Sequence, residues 1–153
     1  MPFLVDTKRY APGEDHLRAD LRARYGSGPF LFSPARQAWN VKGNDKLLRA
    51  VAVVARHYPG LQLILPEWGV DLARSRALVS DLGLRVVWIP MVSKPALIRL
   101  YNAVDVVLDQ FNLGAFGTST VEAMACAKPV VMDFDDEQGA QCYTELPPLV
   151  RAR

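Results

Sequence analysis

The fold is decided by residues 30–65, which read FLFSPARQAWNVKGNDKLLRAVAVVARHYPGLQLIL. Two apolar runs, at 30–32 and 61–65, flank a stretch in which apolar residues recur at helical spacing. Asn44 or Asp45 is expected to cap that helix, because its side-chain oxygen can accept hydrogen bonds from the open amides of the first turn. A strand, a helix and a second strand in this order predict two parallel strands joined by a crossover helix.

The same alternation of apolar runs and helical periods continues to residue 132. Further strands are predicted at 86–89, 104–108 and 129–132, and helices at 14–25, 71–82, 93–101 and 120–127. The sequence therefore predicts an α/β fold, a Rossmann-like parallel sheet with helices on both faces. After Asp133 the pattern fades, and no helix follows to cover the last strand. We expect either an exposed sheet edge or a chain that is part of a larger protein.

Composition excludes several classes of protein. Half of the 153 residues are hydrophobic and 22% are charged, which excludes intrinsic disorder. Eighteen Lys and Arg against 16 Asp and Glu leave a net charge of +2, which does not indicate a nucleic-acid-binding protein. No apolar run approaches the roughly 20 residues of a membrane span. Two cysteines, Cys126 and Cys142, make no disulfide framework, so we expect a cytoplasmic chain with reduced thiols.

Two loops at the carboxyl ends of predicted strands carry groups suited to binding an anion. Arg36 and Lys42 follow the first strand, and a guanidinium and an ammonium can converge on one phosphate. The loop after the fourth strand contains Gly114 and Gly117 and runs into three hydroxyl residues at a helix start. Open amides and the helix dipole favour an anion there. Because ligands of open α/β sheets bind beyond the carboxyl ends of the strands, both loops are expected to flank one crevice.

The chain resembles the C-terminal, donor-binding half of a GT-B glycosyltransferase of the retaining group 1 family. The resemblance is carried by Arg36 with Lys42 and Gly43, by the passage 100–108, by Phe116 and Gly117, and above all by the block 122–131, EAMACAKPVV. It implies that a nucleotide-diphospho-sugar binds in the crevice as a substrate and that no further cofactor is needed. The implied donor-binding residues are Arg36, Lys42, Gly117, Thr118, Ser119, Thr120 and Glu122.

The resemblance also implies a role for each group. Arg36 and Lys42 would stabilise the leaving diphosphate, the amides at 117–120 would cradle it, and Glu122 would accept hydrogen bonds from the ribose hydroxyls. The family has a second glutamate eight positions before Glu122, where this chain has Gly114. Other polar side chains are therefore candidates for contacting the donor sugar: Glu67, Asp109 and Gln110.

Domain organisation follows from the same resemblance. Residues 1–12 look like an interdomain linker, and 13–153 like an incomplete nucleotide-sugar-binding domain without its acceptor-binding partner. We therefore expect a fragment or truncated gene product that is inactive alone, with peripheral membrane attachment of the intact parent left open. Two other interpretations remain: a nucleotide-sugar-binding module without turnover, and a GT-B epimerase or phosphorylase type of domain.

Metal binding is not expected. The segment 133–136 contains an Asp-x-Asp pattern, which can bind Mg²⁺ or Mn²⁺ with a diphosphate, but it is interpreted as an acidic loop because side-chain cations already serve the predicted diphosphate site. A dinucleotide-binding dehydrogenase is also disfavoured, since Gly26 and Gly28 precede the first strand rather than follow it.

Overall fold

The computed structural model describes residues 4–13, 16–137, 139, 145 and 148–152. The helices whose bounds it defines are α1 (His16–Tyr25), α2 (Trp39–Lys42), α3 (Asn44–His57), α4 (Leu72–Asp81), α5 (Lys94–Ala103) and α6 (Thr118–Ala125). Its six strands are β1 (Phe30–Phe32), β2 (Gln62–Pro66), β3 (Val86–Ile89), β4 (Val106–Leu108), β5 (Val130–Met132) and β6 (Val150–Arg151).

All pairings in the sheet are parallel, in the order β3-β2-β1-β4-β5-β6. Leu31 of β1 pairs with Leu63 of β2 on one side and with Val106 of β4 on the other. The chain runs outward from β1 to β3 and then returns to the other side of β1 with β4. The strand order thus reverses between β1 and β4, and such a switch point opens a crevice at the carboxyl ends of the strands.

Helices cover both faces of the sheet, which confirms the predicted fold class. On one face, Leu21 of α1, Tyr101 of α5 and Ala123 of α6 join a single buried cluster. On the other face, Leu47 of α3 and Leu78 of α4 belong to a second cluster. All five residues of β2 are buried, as expected for a strand between two helical layers.

Two short elements were missed. Helix α2 has four residues, too few for a helical period to show. Strand β6 has two residues and pairs with β5 through Val131 and Val150, so the sheet continues past the point where the apolar pattern fades. The amino end of the predicted first helix, residues 14–15, and Cys142 lie outside the described residues, whereas Cys126 is buried.

Two predicted helix starts were wrong in detail. Helix α6 begins at Thr118, two residues earlier than predicted, so Thr118 and Ser119 belong to its first turn. The N-cap of α3 is Gly43, and Asn44 lies inside the helix without capping it. The Asn44 side chain is buried and holds the preceding loop instead, with its Oδ1 accepting from the Ala38 amide at 2.8 Å and its Nδ2 donating to the Arg36 carbonyl at 3.2 Å.

Candidate functional site

The two loops predicted to flank one crevice do meet at the switch point. The amide of Phe111 donates to the carbonyl of Lys42 at 2.9 Å. The Asn112 side chain donates to the carbonyl of Trp39 at 3.1 Å, and the Lys42 ammonium donates to the Gln110 side chain at 3.0 Å. These bonds bring the loop after β1 (residues 33–43) and the loop after β4 (residues 109–117) into one unit.

The two predicted cations differ in their surroundings. Lys42 is half-buried and oriented by Gln110, which is itself buried. Arg36 is exposed, and its guanidinium has no hydrogen-bond or ion-pair partner among the described residues, although its backbone is held by Asn44. The loop therefore presents one fixed cation and one that is free to close on a ligand.

Asp109 lies beneath the start of α6 rather than in the crevice. It is 3% exposed, and its carboxylate accepts a short hydrogen bond from the Thr120 hydroxyl. Burial raises the pKa of Asp109, and the Thr120 hydroxyl and the nearby Lys42 charge oppose that rise. Asp109 and Gln110 were expected as candidate sugar contacts. Both have internal partners and almost no exposure, so a sugar could reach either side chain only if those bonds broke.

Glu67, the third candidate sugar contact, lies at the end of β2 with an exposed side chain. Its carboxylate pairs with Arg76 of α4 at 3.0 Å. The adjoining turn is locked to the loop after β1, because the Gln37 amide donates to the Trp68 carbonyl at 2.9 Å and the Asp71 amide donates to the Gln37 carbonyl at 3.0 Å.

Gly69 makes this close approach possible. It has a φ of +123°, and a Cβ atom there would lie 2.3 Å from the Gln37 carbonyl oxygen. Both the backbone conformation and the lack of space therefore require glycine. Glu67 therefore lies beside a turn that backbone hydrogen bonds hold in place. No contact among the described residues links its side chain to Lys42.

The predicted phosphate cradle lies at the start of α6. Gly117 is the N-cap, and Thr118, Ser119 and Thr120 form the first turn, where backbone amides have no partner within the helix. Thr118 is exposed and Ser119 half-buried, whereas the Thr120 side chain is buried and bonded to Asp109. Thr120 can therefore offer a ligand only its amide. The hydrogen bond from the Thr120 hydroxyl to the Asp109 carboxylate ties this end of the helix to the end of β4.

Gly114 lies where the resemblance implies a glutamate. Its φ is +62°, and its carbonyl accepts from the amide of Asp135 at 2.7 Å. A Cβ atom at this position would lie 3.1 Å from the Cβ of Asp135. The backbone is thus in a left-handed conformation that disfavours any side chain. The acidic segment 133–136 borders the crevice here, and no three His, Cys, Asp or Glu side chains of the described residues gather as metal ligands.

A cavity of about 140 Å³ opens beside the switch point, above the carboxyl ends of β1, β2 and β3. Its walls are mostly apolar, and its two charged residues are Lys94 and Glu122. The residues that line it are Phe32, Pro34, Pro66, Trp68, Ile89, Pro90, Met91, Val92, Lys94, Leu97, Ser119 and Glu122. The cavity shares Ser119 with the helix start, so it adjoins the predicted phosphate cradle.

Glu122 is buried at this cavity and is paired with a residue that the sequence reasoning missed. Its side chain is 5% exposed, and its Oε1 lies 2.5 Å from the ammonium of Lys94. The Tyr101 hydroxyl lies 3.5 Å from Oε2. The Glu122 hydrogen bond raises the pKa of Lys94, and burial together with the Glu122 charge raises the pKa of Tyr101. Glu122 and Lys94 therefore form an ion pair in the wall of the cavity.

The segment 4–13 packs against the same region. Tyr10 is 8% exposed and belongs to the core cluster that includes Tyr101. Burial raises the pKa of Tyr10, and the neighbouring Glu122 raises it further. The Gly13 amide donates to the Asn102 side chain at 3.0 Å, which anchors the segment on α5. The predicted linker segment is therefore in contact with the residues that surround Glu122.

Comparison with known proteins gives one family. A family model described as glycosyl transferases group 1 matches residues 20–134. A D-inositol 3-phosphate glycosyltransferase of Mycolicibacterium gilvum (strain PYR-GCK) is 33% identical over 138 residues, which are 83% of this chain and 29% of the relative. Another, from Corynebacterium jeikeium (strain K411), is 32% identical over 144 residues, 86% of this chain and 34% of the relative. The chain thus spans about a third of the length of these curated relatives.

Solved structures agree on the fold. The C-terminal domain of a group 1 family glycosyl transferase from Francisella tularensis superposes with a TM-score of 0.68 at 23% identity, covering 84% of this chain and 70% of that one. HepE of Anabaena in complex with UDP-glucose gives 0.68 at 25% identity, covering 84% of this chain and 36% of that one. No helix among the described residues combines the length and apolar character needed to cross a membrane. By its sequence match and its Rossmann-like sheet, the chain belongs to the group 1 family of glycosyl transferases.

Proposed function

We propose that this chain binds the nucleoside diphosphate part of a sugar-nucleotide donor at the carboxyl edge of its sheet. One observation carries the proposal: Glu122 and Ser119 at the start of α6 line one cavity beside the reversal of strand order, and Gln110 holds Lys42 at the neighbouring strand end. A diphosphate needs positive charge, and a ribose needs an acceptor for two adjacent hydroxyls. The crevice offers both, and the UDP-glucose bound to the related HepE supports this choice of ligand.

Arg36 and Lys42 are proposed to bind the diphosphate together with the amides of residues 117–120. Charged donors strengthen hydrogen bonds to phosphate, and a helix start adds its dipole. Gln110 supports Lys42, and Asp109 supports the helix start through Thr120. When the bond between sugar and phosphate breaks, these groups would hold the charge that develops on the leaving diphosphate. Such preorganised donors are commonly the largest single contribution to catalysis.

Glu122 is proposed to accept hydrogen bonds from the ribose. A carboxylate can accept about four hydrogen bonds, and the structure gives Glu122 three neighbours with donors, Lys94, Tyr101 and Tyr10. Its remaining capacity faces the cavity. The nucleobase would occupy the apolar part of the same cavity, between the turns that follow β2 and β3.

In the intact parent we propose glycosyl transfer with retention at the anomeric carbon, as the family resemblance implies. Residues 1–12 would then link this domain, residues 13–153, to an acceptor-binding half. We propose a cytoplasmic protein in which side-chain cations serve the diphosphate without a metal ion or further cofactor. A binding module without turnover is the second candidate, and Gly114, where the family carries a sugar-contacting glutamate, favours it.

Glu122→Gln tests the proposal on the chain as it stands. We expect it to weaken UDP binding several-fold, by about 1–2 kcal/mol, because a neutral amide accepts more weakly and leaves Lys94 without its counter-ion. Binding of a 2′,3′-dideoxy analogue of UDP should change less, so the preference for the ribose should shrink. Titration calorimetry on both ligands gives the two affinities.

Glu67→Gln is the matched control, since it removes a carboxylate at the same sheet edge that is paired only with Arg76 among the described residues. We expect it to leave UDP binding unchanged. The proposal fails if the wild-type chain does not bind UDP, or if Glu122→Gln keeps the full preference for ribose over dideoxyribose.

A further inference from the structure

Lys94 lies at a helix position that is electrostatically unfavourable for a cation, and its contact with Glu122 offsets this. It is the first residue of α5, where the positive end of the helix dipole disfavours a cation. Its Nζ nevertheless lies 2.5 Å from the buried Oε1 of Glu122, while 58% of its own side chain is exposed. Glu122 thus fixes an ammonium at the mouth of the cavity, with the carboxylate below it.

The ammonium keeps donor capacity for a ligand. It has three N–H donors and no acceptor. Glu122 accepts from one, and the Tyr10 hydroxyl is within hydrogen-bonding reach of another. At least one donor is therefore left at the cavity that Lys94 lines. Of the described residues that line this cavity, Lys94 is the one with a positively charged side chain.

The chemistry of a nucleoside indicates what this donor would meet. If Glu122 accepts from the ribose hydroxyls, the nearest acceptor on the base is the one on the edge beside the 2′-hydroxyl. That acceptor is O2 of a pyrimidine or N3 of a purine, and guanine adds an amino group, a donor, at the same edge. An ammonium tethered to Glu122 would donate to the acceptor and would oppose the amino group.

We propose that Lys94 is a specificity-determining residue that reads this edge of the nucleobase and disfavours guanine. The inference rests on the proposed function, because Glu122 must first position the ribose. The cavity walls near the β2 and β3 turns supply apolar contact through Pro66, Pro90 and Met91, which is tolerant of any base. Lys94 supplies a charged donor, and a site built around a hydrogen bond discriminates strongly against a ligand that cannot make it.

Inosine diphosphate and guanosine diphosphate test the proposal directly, because they differ only in the 2-amino group. We expect the 153-residue chain to bind inosine diphosphate about tenfold more tightly, the size of effect that a charged hydrogen bond gives when it is lost. In Lys94→Met the two affinities should become equal, whereas Lys94→Arg should keep a preference. Titration calorimetry on each protein gives the ratio.

Lys8→Met is the matched control, since it removes the same charge from an exposed lysine of the segment 4–13. It should keep the wild-type ratio. If Lys94→Met does not fold, Lys94→Gln replaces it in the same comparison. Equal binding of the two diphosphates by the wild-type chain, or a ratio that survives the loss of the ammonium, overturns the inference alone. Failure to bind either diphosphate or UDP overturns the proposed function as well.

Discussion

The two ends of strand β4 carry aspartates with opposite electrostatics. Asp105, at the amino end, accepts from the Phe30 amide at 2.9 Å and pairs with Arg18 at 2.5 Å. Burial alone would raise the pKa of Asp105, but the Phe30 amide and Arg18 outweigh it and lower the value. Asp109, at the carboxyl end, is buried under α6, and burial raises its pKa. The fold therefore favours the charged form of Asp105, whereas burial disfavours the charged form of Asp109.

This difference separates stability from function along the sheet. At the amino edge, a charged group with a cation and an amide stabilises the fold. At the carboxyl edge, Asp109 and Glu122 are buried ionisable groups, and Lys94 pairs with Glu122. The pKa values of Lys94 and Asp109 are raised, and Lys94 lines a cavity, where ionisable groups with shifted pKa values are candidates for functional residues. Substitutions at the amino edge should therefore change stability alone, whereas those at the carboxyl edge should also change ligand binding.

Glycine substitutions should give the largest effects. Gly69→Ala places a Cβ 2.3 Å from the Gln37 carbonyl oxygen at the carboxyl edge, and Gly28→Ala places one 1.8 Å from the Gly60 carbonyl oxygen at the amino edge. Both contacts are with backbone atoms, so each substitution should lower the free energy of unfolding by about 2–4 kcal/mol. Urea denaturation measures that loss.

The two glycine substitutions should differ in their effect on ligand binding. Gly69→Ala should also weaken UDP binding by the folded protein, because Gln37 is in the loop that carries Arg36, whereas Gly28→Ala should leave it unchanged. Gly13→Ala is the control, since the nearest atom to its Cβ would be 4.0 Å away, and both quantities should stay near wild type. Equal loss of UDP affinity in the Gly28 and Gly69 variants would contradict the separation of the two edges.

Cation substitutions should give the next largest effects. Lys42→Ala and Arg36→Ala should each weaken UDP binding by about 1.5–3 kcal/mol, as for hydrogen bonds to charged groups. Arg18→Ala removes a cation from the amino edge and should lower stability without changing affinity. Calorimetric titration and thermal unfolding on the same three proteins separate the two outcomes. Unchanged affinity in both Lys42→Ala and Arg36→Ala would remove the diphosphate assignment.

The pH dependence of stability should give the smallest effects, with opposite signs. The pKa of Asp109 is raised on folding, so its contribution to stability is complete below the ordinary aspartate pKa of about 3.9 and is lost as pH rises through the folded value. Asp109→Asn should therefore gain stability relative to wild type as pH rises above about 4. The pKa of Asp105 is lowered, so its contribution is lost as pH falls below the ordinary range.

Asp105→Asn should thus lose most relative to wild type near neutral pH and least in acid. Urea denaturation of the wild type and the two variants between about pH 3 and pH 7, where aspartates titrate, measures the stability of each variant relative to wild type. Parallel curves for all three proteins would show that neither aspartate titrates differently in the folded state.

Most of the sheet could be predicted from the sequence, because β1 to β5 are apolar runs between turn signals. Strand β6 could not, because Val150 and Arg151 have no such pattern of their own and pair only because β5 is beside them. The meeting of the two loops could also be predicted, because the loop of Arg36 and Lys42 and the loop before α6 follow neighbouring strand ends. The binding roles of Arg36, Lys42 and the start of α6 stay predictions.

Long-range partners left little trace in the sequence. Lys94 is 28 positions from Glu122, and the one local sign was a cation in the first turn of a helix. Asn44 has the residue type of a helix cap, and only its burial shows that it holds the loop of Arg36. Asp109 and Gln110 have the types of ligand-binding residues, and only the packed structure shows that they face Thr120 and Lys42.

The conformation of Gly114 limits how this protein can evolve. One substitution is enough to replace a glutamate by glycine, and glycine adopts the observed φ of +62° without strain. The reverse substitution meets a strained backbone and a neighbouring Cβ at 3.1 Å, so it lowers stability before it can restore a carboxylate. A small shift of Asp135, in the segment after β5, would lower that cost. At this position, the substitution of glutamate by glycine is therefore easier than its reversal.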